Sequence, residues 1–375
     1  MTEAMRWLPW RLLFPRATRF AFDAVPSRAG QRMLRKGPMQ NLSRKPRCLG
    51  FVALIVGWFG VFYLYVLLRV RPELFYQQNP VVFLFDAAFF TAFWSRPGGL
   101  VQYASAFLSP LFACGWLGAL VVTLLAAFIC LATRQYLAAL AGTGGRTVFL
   151  VPAILILVTM GRYNHPVGLC AGLCVVLGLA SAYVLIGQRH PAVRLAAFVV
   201  ASAVGYYVAG GLYVVFAVLC GIFEWTSCRQ RWLGACYALS AAAVPTAAGV
   251  WLWGLGFPEA YQGLLLPPAR YWLAMPSSAL LSQSIRAALL LSFPVAAVAA
   301  AWRRHPAGSP ALPAETPASV EPTDGAADVP RSLSARRLAV QSAALLVVAV
   351  GADFLVFDSP TKYALAVAYS AEREQ

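Results

Sequence analysis

Apolar runs of about 20 residues recur along the chain between short polar or basic segments, and that is the length needed to cross a hydrocarbon core of ~30 Å. The pattern predicts spans over Leu49–Leu68, Leu108–Ala132, Thr147–Met160, Val167–Ile186, Leu233–Leu255, Ala279–Trp302 and Leu338–Phe357. One run, Leu195–Phe223, is longer, with YYVAGG at its middle and basic residues at both flanks: Arg189 and Arg194 before, Arg229 and Arg231 after. A single span there would carry one basic loop to the outside, against the tendency of Arg and Lys to stay in the cytoplasm. Two short helices meeting at Gly210-Gly211 keep both loops inside, and this hairpin is the favoured reading. Irregular backbone at that depth is tolerated only where protein or water satisfies it. Pro245 predicts a kink in its span. The expected fold class is therefore all-α: a polytopic integral membrane protein of about eight to nine membrane helices, some short or re-entrant.

Between the first two spans lies the one long stretch of the membrane core that does not itself span, Arg69–Phe112. Phe85, Phe89, Phe90, Phe93 and Trp94 make it aromatic, and Pro97-Gly98-Gly99 breaks it. It reads as a helix at the membrane surface, a turn, and entry into the next span.

Composition agrees with the pattern. Hydrophobic residues make up 60% of the 375 positions and charged residues 12%, which excludes an ordinary soluble domain. The net charge of +16 does not point to nucleic acid, because the cations sit in the N-terminal segment and in short loops between apolar runs. Residues 1–47 carry eleven Arg/Lys against Glu3 and Asp23 and read as a cytoplasmic tail touching anionic lipid; a later start at Met33 or Met39 is the alternative. The multi-span domain covers 48–302, with an outer-surface loop at 70–107. Residues 303–337 form a Pro/Ala-rich cytoplasmic linker, 338–357 the last membrane helix, and 358–375 the start of an extracytoplasmic helical region that breaks off uncapped. Eight Cys and three His show neither disulfide-framework nor metal spacing, and no cofactor or metal is expected.

Only four carboxylates occur between residues 48 and 302: Glu73, Asp86, Glu224 and Glu259. Charges inside or against a bilayer are costly and often mark function. Glu73 and Asp86 fall on the expected outer side and are the candidate catalytic acids. Their bland readings are an interfacial charge beside Arg69 and Arg71 and a carboxylate facing water. Glu224 lies near Arg229 at the inner end of a span, where a structural ion pair is expected rather than catalysis. Gln77, Gln78, Arg96, Arg162, His165, Glu259, Arg270 and Arg286 are candidate substrate-binding residues. His165 is a candidate proton carrier, since an imidazole can change charge near neutral pH, although capping or solvent exposure is commoner for such a residue. Arg286 and Asp353 sit at comparable depth in two spans and are expected to pair, since neither ion should stand alone in lipid. Alternatively, Arg286 and Arg270 bind a phosphate or pyrophosphate.

Gln77-Gln78, PGGLVQYASAFL (Pro97–Leu108) and YYVAGGLYVVFAVLCGIFE (Tyr206–Glu224), with RYNHP and the terminal KYALAVAYSAERE, resemble an uncharacterised family of bacterial polytopic membrane proteins. The resemblance implies a helical, repeat-like extracytoplasmic region after the last span. In layout alone the chain also resembles GT-C glycosyltransferases, which carry an acidic catalytic residue on an outer loop after the first span. That likeness implies Glu73 or Asp86 as the acid and a polyprenyl-phosphate-linked sugar as donor, held by Arg270 or Arg286. The paired-acid motif seen after the first span of many such enzymes is missing.

The leading expectation is a GT-C-like enzyme of envelope polysaccharide or glycolipid assembly in the bacterial cytoplasmic membrane, its N-terminus cytoplasmic and its C-terminus extracytoplasmic. A non-enzymatic scaffold with an extracytoplasmic interaction region is the alternative, and a transporter the third reading. Reporter fusions at Gln78, Gln230, Gly325 and Gln375 are expected to read outside, inside, inside and outside. An outside signal at Gln230 would make Leu195–Phe223 a single span and place Glu259 across the membrane from Glu73.

Overall fold

The computed structural model describes residues 45–78, 83–141, 147–161, 167–186, 190–228, 230–261, 264, 277–304, 340–347, 350–351, 364, 367–368 and 371. Among these, every regular element is helical. In chain order they are α1 (Lys45–Tyr65, continued by a π turn at Val66–Val70), α2 (Pro72–Gln78), α3 (Ala87–Trp94) and α4 (Gly99–Leu108, with a 3-10 turn at Ser109–Ala113). Then come α5 (Gly115–Ala141), α6 (Val151–Met160), α7 (Val167–Ile186), α8 (Pro191–Ala209), α9 (Tyr213–Thr226), α10 (Arg231–Val244, continued by a π segment at Pro245–Leu252), α11 (Phe257–Ala260) and α12 (Ser277–Arg304). Among the described residues, six helical segments are long and apolar enough to cross a membrane, joined by two shorter apolar ones. The chain is a multi-pass membrane protein. Val56, Leu68, Leu124, Val200 and Leu239 are exposed on its flanks; lipid is the solvent that suits them. Small residues let the spans close up. Gly221 of α9 and Gly234 of α10 face each other so tightly that a Cβ on either would lie 2.9 Å from the other's carbonyl oxygen.

The long run near residue 210 is a hairpin. Arg194, in the first turn of α8, and Glu224, in the last turn of α9, form an ion pair at 3.1 Å. A continuous helix would hold them ~45 Å apart at 1.5 Å per residue. Gly210 (φ 60°, ψ −137°) reverses the chain. Between the arms the Tyr213 hydroxyl donates to Ser202 Oγ at 3.2 Å, and the Phe198 and Phe216 rings stack at 5.7 Å.

A second, shorter reversal meets it. α3 and α4 run antiparallel, with the Tyr103 ring set among Phe83, Phe89, Phe90 and Phe93 at 5.2, 6.1, 5.1 and 6.0 Å between centroids. α3 itself buries no residue, yet the turn that follows, Pro97-Gly98-Gly99, is buried. α4 lies along α7, with Ser105 beside Gly168 and Val101 beside Gly172. The turn therefore sits below the α7 end by at least five residues, or ~7 Å. There Gly98 N–H donates to the Tyr207 carbonyl at 2.8 Å, and the Tyr207 hydroxyl donates to the Trp94 carbonyl at 2.8 Å. A Cβ on Gly98 would come within 3.2 Å of Gly210 Cα, and the reverse holds equally. The two tips touch inside the bundle.

Some boundaries differ from the hydropathy reading. The span expected at Leu108–Ala132 begins instead at Gly115, because Ser109–Ala113 tightens to a 3-10 turn around Pro110 and Cys114 is extended (φ −100°, ψ 108°). It runs on to Ala141. Arg134, expected in the flanking loop, is a helix-interior cation whose guanidinium lies 5.9 Å from the Phe149 ring centre; contact with an aromatic face offsets its burial. Pro245 does interrupt its span, as a change from α to π winding. The linker 305–330, Asp353 and most of 352–375 lie outside the described residues. The described part of the last span packs on α1, where the Trp58 indole N–H donates to the Ser342 carbonyl at 3.4 Å.

Gly98→Ala and Gly210→Ala each put a Cβ on a left-handed residue (φ 77° and 60°) against backbone. Each is expected to destabilise the protein by about 1–3 kcal/mol, read as a lowered thermal midpoint in detergent. Gly57→Ala, with nothing within 4 Å of its new methyl, should match or exceed wild type.

Candidate functional site

The candidate acids lie at one end of the bundle, and Glu73 has the more constrained setting. α1 ends not as an α-helix but as the π turn Val66–Val70, and Arg71 follows in the left-handed region (φ 49°, ψ 83°), its N–H donating to the Val66 carbonyl at 3.0 Å. It is the single non-glycine with positive φ among the described residues. Pro72 then opens α2 with the φ a first helical turn needs, and Glu73 falls in that turn. Its carboxylate pairs with Arg71 Nη2 at 3.3 Å, both side chains a little over one-third exposed. On its inner side the carboxyl rests on Gly115, at the start of α5, where a Cβ would collide with it. Pro72 is seated on Gly118 in the same way. The Tyr63 hydroxyl donates to the Trp116 carbonyl at 3.4 Å, tying the end of α1 to α5.

The other candidates are dispersed around this end. Asp86 is exposed in extended backbone just before α3, with no side-chain capping bond. Glu73 and Asp86 share no hydrogen-bond or ion-pair partner among the described residues. Arg96 is exposed, donates to Gln102 Oε1 at 2.8 Å, and covers the Phe93 ring at 5.5 Å. Glu259 is exposed and accepts from Gly256 N–H at 3.3 Å, a capping role in α11. Nearby, burial pushes the Tyr261 phenol up. Arg286 is half-buried in α12, and its expected partner Asp353 lies outside the described residues. So do Arg162, His165 and Arg270, and the side chains of Gln77 and Gln78.

At the opposite end lies a polar cluster of which the sequence reading anticipated only a structural ion pair at Glu224. Glu224, wholly buried, pairs with Arg194; Arg229, the neighbour that the sequence suggests, lies outside the described residues. The Tyr183 hydroxyl of α7 donates to Glu224 Oε1 at 2.6 Å, and Tyr237 of α10 lies 3.4 Å from Tyr183. Arg194 also donates to Gln230 Oε1 at 3.0 Å, joining α8 to the loop after α9. In that loop burial first, and then the Glu224 charge, push the Cys228 thiol up. A signal for the pair was present. Arg194 stands in the first turn of α8 and Glu224 in the last turn of α9, each at the end where the helix dipole disfavours its charge. Antiparallel arms bring the two misplaced charges together.

Removing one member of this pair leaves an ion buried without its counter-charge. Glu224→Gln is expected to cost about 3–5 kcal/mol, seen as loss of folded protein in detergent. Glu224→Gln with Arg194→Leu should recover most of that loss; a double variant as unstable as the single one would refute the pairing as the source of the effect.

No curated protein and no solved structure matches the chain. The sequence profile described as Family of unknown function (DUF6057) matches residues 44–375, taking in both docked turns, Glu73 and the buried cluster. The chain belongs to that family.

Proposed function

We propose that the protein is a GT-C-like glycosyltransferase of envelope polysaccharide or glycolipid assembly, with Glu73 as its base and a polyprenyl-phosphate-linked sugar as donor. One observation carries the reading: the strained Arg71, between a π turn and a proline, which fixes Glu73 at the bundle end. Left-handed backbone at a branched-out side chain costs about 1–3 kcal/mol, and such strain gathers at functional sites; π turns gather there as well. In the proposed reaction the Glu73 carboxylate takes the proton of an acceptor hydroxyl. The freed oxygen bonds to the anomeric carbon, and the bond to the polyprenyl phosphate breaks with its electron pair on the phosphate. Arg71 keeps the carboxylate oriented. Arg286, in the half of α12 nearer this end, has the chemistry to bind the phosphate. Arg194, Arg231 and Arg303-Arg304 belong to the other end, which supports a cytoplasmic setting for that end and an extracytoplasmic one for Glu73.

Glu73→Gln should lower sugar transfer from polyprenyl-phosphate donors by roughly 10²–10⁴-fold while leaving insertion and thermal midpoint unchanged. Asp86→Asn, in the exposed segment, should change it by less than about tenfold on the same scale. Undiminished transfer by Glu73→Gln in purified protein would end the proposal.

A further inference from the structure

On the side of the bundle opposite to Glu73, the close approach of α9 and α10 leaves a groove of about 990 Å³ between them and α12. Its floor is made of small residues, Gly221, Gly234, Ala235 and Ala238, and its walls of Trp225 and Trp302. Arg231 and Thr226 stand at one end, and Val218, Ala238 and Val298 line the other. From Trp225 to Val218, and from Arg231 to Ala238, is seven residues, so the apolar part runs ~10 Å along the helix axes. Trp225, Trp232 and Trp302 are 53%, 67% and 76% exposed. Three exposed indoles at one level mark the headgroup zone of a bilayer. The groove thus has a polar mouth at the interface and an apolar length within the hydrocarbon.

Charge selects the occupant. Arg231 is exposed at the mouth and belongs to no ion pair among the described residues. The sequence adds cations at 229, 303 and 304. The carboxylate closest in sequence, Glu224, is wholly buried against Arg194, so its charge does not cancel theirs at the mouth. Basic pockets between spans on the cytoplasmic side are sites for anionic headgroups. The described part of the last span packs on α1 at Trp58. We infer that the α9–α10–α12 groove is a binding site for an anionic phospholipid, its acyl chains on the glycine–alanine floor and its phosphate on Arg231. The site lies at the far end from Glu73 and is independent of the proposed reaction.

The test titrates phosphatidylglycerol and phosphatidylcholine into the full-length protein in neutral detergent, with bound lipid counted by native mass spectrometry. Phosphatidylglycerol should bind roughly fivefold more tightly, the worth of one cation at a membrane surface. Arg231→Gln should erase that preference and Arg231→Lys keep it. Ala238→Phe, at an exposed floor position, should reduce binding of both lipids while leaving the lipid-free thermal midpoint unchanged. Equal affinities in the wild type would overturn the inference. So would a preference that survives Arg231→Gln, which would assign it to the basic N-terminal segment. Unchanged binding by Ala238→Phe would mean annular lipid only, and a dimer broken by that variant would make the occupant a second copy of the chain.

Discussion

A backbone that leaves helical winding inside a bilayer must have its hydrogen bonds satisfied by protein or by water. Here two reversals satisfy that constraint by docking on each other. The turn after α3 donates Gly98 N–H to the carbonyl of Tyr207, and the Tyr207 hydroxyl returns to the carbonyl of Trp94. Glycine is required at both tips, because each has positive φ and each lies within van der Waals reach of the other's Cα. From this contact α4 runs along α7, with Val101 beside Gly172 and Ser105 beside Gly168.

Polar groups elsewhere obey the same economy. Arg194 and Glu224 are each set at the wrong end of a helix dipole, and pairing across the hairpin resolves both. Tyr183 and Gln230 supply further bonds, so the cluster closes the hairpin at its base as the glycines close it at its tip. A buried ion pair that also bonds Tyr183 and Gln230 argues for structure. The half-exposed, strained arrangement at Arg71–Glu73 is a different kind of site, and the catalytic proposal rests there for that reason.

Much of the architecture was legible. Val167–Ile186 coincides with α7 because polar sequence bounds it on both sides, and the hairpin followed from basic residues at both flanks of one apolar run. The start of α5 was not legible, since SPLFACG is as apolar as a span and only backbone geometry at Cys114 divides it. Its end was misjudged because Arg134 looks like a loop residue until its contact with Phe149 is seen. The candidate site was legible as residues and not as geometry. Hydropathy runs through Leu68 without a sign of the π turn, and nothing marks Tyr183 among the apolar residues of α7 as a carboxylate partner.

The docked turns also impose an order on biogenesis. Residues 83–108 leave the ribosome about a hundred residues before the hairpin tip at 207–211 that accepts their Gly98 N–H. Until that tip arrives, the earlier turn has no protein partner for its backbone at depth and must remain at the wet interface. Seating of the α3–α4 pair is therefore a late event, completed only after α8 and α9 have entered the membrane.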